Sequence, residues 1–266
     1  VSADAGALIT AVNGGESITA SVGDTGEVTL TLTVSGTWTV TGELNGKEQS
    51  VQVVVDSGYE VAFNLNPRLP EGYKELEYIQ SNGLQYIDTG VQPKATLKFA
   101  MDFAVDRLTS SAVSFFGWRK KAGTKYVQFR GFEYNTNIFR IIYGGSSSIN
   151  ATAIDSPLSV GRHALELDCQ NKTLVWDGTS SSFALNGTPA FSTTDNIALF
   201  ASNNEGTVGE YSSMKLYKAQ IWDTGSLIRD FVPCTDPSGK AGLYDLVNQA
   251  FYTNKRVSAF IAGPEV

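Results

Sequence analysis

Apolar and polar residues alternate with a period of two through most of this chain, and that rhythm is the signature of strands with one buried face. Leu97, Phe99, Met101, Phe103 and Val105 give five consecutive inward positions. Trp38, Val40 and Leu44 repeat the pattern against Thr37, Thr39, Thr41 and Glu43. No run has the 3.6-residue period of an amphipathic helix, so the expected fold class is all-β. The 26 glycines and the abundance of Thr and Ser fit strands joined by tight turns.

Two units are expected. In residues 1–66, Val28, Leu30, Leu32 and Val34 share one face, and Asn45-Gly46 closes a hairpin because both residues tolerate the positive φ of a type I′ turn. The return strand points Val51, Val53 and Val55 inward, and a last strand buries Tyr59, Val61, Phe63 and Leu65. With Ile18, Ala20 and Val22 in front, this makes a small immunoglobulin-like β-sandwich. Pro67 and Pro70 interrupt the pattern, since proline removes a ladder donor. Residues 67–266 then carry ten or more strands. Among them are 126–130, 138–143, a hairpin through 165–176 with a turn pair at Asp177-Gly178, and 197–201, 214–222 and 227–232. That is the complement of a two-sheet jelly roll.

Two segments of the larger unit resemble a module of phage and prophage proteins assigned to the concanavalin A-like, laminin-G-type fold. They are LPEGYKELEYIQSNGLQYIDTG, from Leu69, and IWDTGSLIRDFVPCTDPSGKAGLYDLVNQAFY, ending at Tyr252. FFGWR at 115–119 and NIALFASNN at 196–204 stand where that fold has core strands. The first unit is similar to small immunoglobulin-like spacers that precede adhesive domains in virion proteins. The resemblance implies that Tyr86-Ile87 and Phe251-Tyr252 meet to close one sandwich edge. It also implies calcium as a candidate ligand of the sandwich rim, with Asp177, Asn203, Asn204 and Glu205 as oxygen donors in loops.

Several functions are disfavoured. The net charge is −7 and the largest basic cluster is Arg119-Lys120-Lys121, so a nucleic-acid backbone meets repulsion. No apolar run reaches the 18 or so residues of a membrane helix. One histidine and two cysteines are too few for a zinc site. Cys169 and Cys234 read as buried thiols, with one bridge left open. On the glucanase pattern Glu-x-Asp-x-x-Glu, the third acid falls at Asn171, so Glu166 and Asp168 read as outward alternates of a strand. His163 lacks a nucleophile at recognisable spacing. These readings lead to the expectation that the chain is not an enzyme.

A sugar site needs exposed rings flanked by amides or charges. On this ground the expected glycan-binding residues are Trp118, Arg119, Tyr126, Gln128, Arg130, Tyr143, Asn203 and Asn204. Together with this, the resemblance implies a surface protein of a bacteriophage virion, on tail or head, binding host or mucin glycans beside other virion proteins. A structural decoration protein and a secreted bacterial adhesin are the alternatives. Nothing in the pattern enforces a coiled coil, though a homo-oligomer is compatible with it.

Overall fold

The structure, a computed structural model, describes residues 6–22, 30–32, 34–44, 46–55, 69–109, 113–122, 125–133, 137–144, 152–184 and 191–266. It is all-β, with several antiparallel sheets and no helix among the described residues. The chain divides into two compact units, Val1–Pro70 and Glu71–Val266.

The first unit contains one four-stranded antiparallel sheet, in spatial order Glu16–Ser21, Leu8–Asn13, Gly36–Leu44, Lys47–Val55. Leu44 pairs with Lys47, which makes the Asn45-Gly46 connection a two-residue hairpin, and Gly46 takes φ +75°. Ile9, Ala11, Trp38, Val40 and Val53 form the buried face, and the Trp38 indole N–H donates to the Val34 carbonyl at 2.8 Å. Val51, expected inward, is exposed. Of the strand expected around Val28, residues 30–32 and 34 are described and lie in no strand, and the strand expected over 59–65 lies outside the described residues.

The second unit packs two sheets face to face. The smaller runs Thr152–Pro157, Ile138–Gly144, Lys125–Glu133, Ser114–Ala122, Ala198–Leu199, Ile87–Asp88. The larger runs Thr179–Ser182, Thr173–Trp176, Gly161–Asp168, Leu97–Val105, Ser213–Asp223, Ser226–Thr235, Ala241–Asp245, Ala250–Tyr252. Their inward alternates interlock through rings. Phe99 stacks on Phe116 with centroids 4.3 Å apart, Phe103 meets Phe115 at 5.2 Å, and Phe139 stacks on Trp176 at 4.4 Å. Each fully buried ring contributes about 1.5–3 kcal/mol through burial alone.

The two segments that carry the resemblance meet where Glu75 pairs with Cys234 and Lys74 with Thr235. Leu76 and Ile79 pair instead with Glu265 and Ala262, which lie beyond the second segment. The expected closure by Tyr86-Ile87 and Phe251-Tyr252 does not occur. Ile87–Asp88 joins the smaller sheet through Ala198–Leu199, whereas Ala250–Tyr252 edges the larger one against Ala241–Asp245. Cys169 and Cys234 are both free and buried. Burial pushes both thiols up, that of Cys234 to about 12, so neither supplies thiolate near neutrality.

Candidate functional site

The expected glycan residues divide into three groups. Trp118 and Tyr143 are fully buried and belong to the core, so neither ring is available to stack on a sugar. Trp118 meets Phe191 edge-on at 5.9 Å and Tyr143 meets Phe129 at 5.9 Å. Arg130 is also buried, against the expectation of an exposed grip. Its guanidinium pairs with Glu210 and lies 3.8 Å from the centre of the Phe132 ring. Arg119 pairs with the same Glu210 at 2.9 Å. Gln128 is half-buried beside it, in register with Arg119. The Tyr126 side chain lies outside the described residues.

Asn203 and Asn204, expected in a loop, lie instead in the short strand Ser202–Asn204, opposite Trp118 and Arg119, and their side chains hold the adjoining turn. The Asn203 amide donates to the Asn196 carbonyl at 3.0 Å and accepts from Gly206 N–H at 2.9 Å, while Asn204 Oδ1 accepts from Ser202 at 3.1 Å. Calcium fits these residues poorly. Glu205 accepts from Lys121 N–H, and both Asp177 oxygens are occupied in the other sheet by His163 and Ala164 N–H. The proposed donors therefore do not converge.

The outer face of the larger sheet presents a better site. Along Leu97–Val105 and Gly161–Asp168 the inward alternates are large, while the outward positions Ala100 and Ala164 are small. Two short side chains among long neighbours leave a groove of about 350 Å³. Ala100, Ala164 and Val175 supply its apolar surface, and Asp102, Glu166, Lys218 and Gln220 supply polar groups. Register makes this local arrangement: Ala164 lies opposite Asp102, Glu166 opposite Ala100, and Gln220 opposite Ala100 from the other side.

Both acids of the groove are engaged from outside it. Asp102 accepts two bonds from Arg162, each 2.8 Å, and that guanidinium lies 3.9 Å from the centre of the Tyr217 ring. Glu166 pairs with Lys98 at 2.8 Å, whose ammonium lies 5.0 Å from the Trp222 ring centre. Two acid–cation–aromatic relays thus flank the groove. Asp168 takes no part, because it accepts from the backbone and side-chain N–H groups of Asn171, both at 2.8 Å, and closes the turn.

One wall of the groove is braced from behind by His163. Its Nδ1 lies 2.7 Å from Asp177 Oδ2, its Nε2 lies 3.0 Å from the Ser159 carbonyl, and its ring stacks on Trp176 at 5.0 Å. Asp177 Oδ1 accepts from Ala164 N–H at 2.8 Å, tying the Asp177-Gly178 turn to the strand that bears the groove. The Ser159 hydroxyl is 3.4 Å from Nε2, farther than the carbonyl of the same residue. The brace was hidden in the sequence because its members join only through the turn.

No protein-family model matches this chain, and no curated protein matches it. Among solved structures it is similar to a point mutant of the NanB sialidase from Streptococcus pneumoniae, at 16% identity over 59% of this chain and 26% of that one, with a TM-score of 0.42. A NanB structure with Optactamide gives 16% identity over 61% and 27%, with a TM-score of 0.43. The chain spans about a quarter of the length of these matches. Since they are sialidases, and so enzymes, the expectation that the chain is not an enzyme is corrected: that assignment is withdrawn, and no activity is carried over in its place.

Proposed function

We propose that this protein is a glycan-binding component of a bacteriophage virion surface, and that its ligand lies in the groove across the outer face of the larger sheet. The observation that carries the reading is the groove itself. An apolar floor bordered by fixed polar side chains is the common form of a site for a ligand with both apolar and hydroxyl faces. Its volume falls within the usual range for such sites. The placement on a virion rests on the sequence resemblance and is tested separately, by mass spectrometry of purified particles.

Filling the groove tests the site. Ala164→Trp places a large ring over the floor without entering the core, since Ala164 points outward. The expected result on a glycan array is loss of the wild-type signal with the thermal midpoint unchanged within about 2–4 °C. Retained binding in this variant rules out the groove. A flat response from the wild-type protein favours a structural decoration role instead.

A second reading is favoured by one observation: two carboxylates, Asp102 and Glu166, line the groove from neighbouring strands. Glycosidases set two carboxyl groups across the bond they cleave. Release of reducing sugar from an array ligand, abolished by both Asp102→Asn and Glu166→Gln, would replace binding with cleavage. Ligand recovered intact leaves the binding reading in place.

A further inference from the structure

The charges around the groove do not cancel locally, and the residue left over indicates what the groove selects. Asp102 is taken by Arg162 and Glu166 by Lys98, so each groove acid already has its cation. Lys218 also lines the groove and is exposed, yet it forms no ion pair among the described residues. It stands directly across from Asp102 in the ladder, but that carboxylate is spent on both arms of the Arg162 fork. Gln220, two positions on, points to the same side and offers an amide. Asp230, paired with Gln220 from the next strand, is not among the groove's lining residues.

We propose, building on the glycan reading above, that the groove selects acidic sugars, with the ligand carboxylate held by the Lys218 ammonium and the Gln220 amide. The argument is electrostatic complementarity. A neutral sugar gains only hydrogen bonds at this rim, whereas a carboxylate gains a charge-assisted bond to an ammonium that no protein acid claims. The chain's overall negative charge works against long-range attraction of such a ligand. Selection therefore arises at contact range, where the pair is formed and salt screens it only in part.

The test uses the full chain and an array on which uronic-acid and sialylated oligosaccharides are printed beside their carboxyl methyl esters. The two members of each pair differ by one methyl group and the charge that it removes. The expected result is binding of at least one free acid about tenfold tighter than its ester, equivalent to about 1.4 kcal/mol. Lys218→Met abolishes that preference, so that acid and ester bind alike, and Lys218→Arg retains it. Equal binding of acid and ester, or a preference that survives Lys218→Met, overturns the acidic-sugar inference and leaves the glycan reading standing. Silence across the whole array overturns both.

Discussion

Replacing Gly131 with valine lowers the stability of the larger unit by about 3 kcal/mol. Gly131 sits mid-strand in Lys125–Glu133, opposite Phe116 on one side and Ile141 on the other. A β-carbon built there meets Phe116 Cε1 at 2.4 Å and Phe139 Cζ at 2.7 Å. Both rings are fully buried and locked into the aromatic stack, so neither can withdraw without opening a void elsewhere. Urea denaturation should show the midpoint of the larger unit moving down with an unchanged slope. Gly131→Ala combined with Phe116→Leu should recover part of the loss of Gly131→Ala alone, because the two sites share one volume. Gly15, where an added β-carbon meets nothing within 4 Å, is the control, and Gly15→Ala should change stability by less than about 0.5 kcal/mol. An unchanged midpoint in Gly131→Val would mean that the rings are not packed as described.

The same aromatic stack explains what the sequence made legible. Where a strand is buried on one face only, period two fixes both the element and its orientation. Leu97–Val105 and Gly161–Asp168 were readable in this way, including the outward phase of Glu166 and Asp168. Tyr143 carried the same signal. Arg140 is an outward residue three positions earlier, so Phe139, Ile141 and Tyr143 share the inward phase, and assigning Tyr143 to a surface site ignored it. In FFGWR, by contrast, Phe115, Phe116, Gly117 and Trp118 are all buried. A strand covered on both sides has no polar alternate to set its phase, and Trp118 could not be placed from sequence.

The groove was illegible for a different reason. What marks it is small residues, Ala100 and Ala164, coinciding across two strands some sixty positions apart. Alternation gives each strand its outward face but not the register between strands, and a one-residue slip would scatter those alanines. Charge pairing depends on register in the same way. The Arg162–Asp102 and Lys98–Glu166 pairs exist only because Gly161–Asp168 lies antiparallel to Leu97–Val105 in this alignment. Long-range pairing therefore separates the residues that were expected to bind from those that line the groove.

Glu210 carries the second large effect, because it alone among the described residues answers two arginines. Its carboxylate pairs with the buried Arg130 and with Arg119, and it accepts a bond from Ser114 at 3.1 Å. Burial holds the Arg130 guanidinium below its ordinary range, and the Glu210 charge works against that shift. Glu210 also takes φ +56°, a left-handed conformation that disfavours a β-carbon by about 1 kcal/mol. Glu210→Ala keeps that backbone cost and strands Arg130 without its counter-charge, so the expected loss is about 3 kcal/mol. Glu210→Gly removes the same carboxylate but relieves the backbone, and should fall about 1 kcal/mol short of the alanine loss. Arg130→Met in the Glu210→Ala background should recover much of the deficit, since no buried charge then remains at that position. Urea midpoints of the four proteins decide the matter. If the glycine variant is no more stable than the alanine variant, the left-handed backbone costs nothing here. If Arg130→Met gives no recovery, the stranded guanidinium is not the source of the loss.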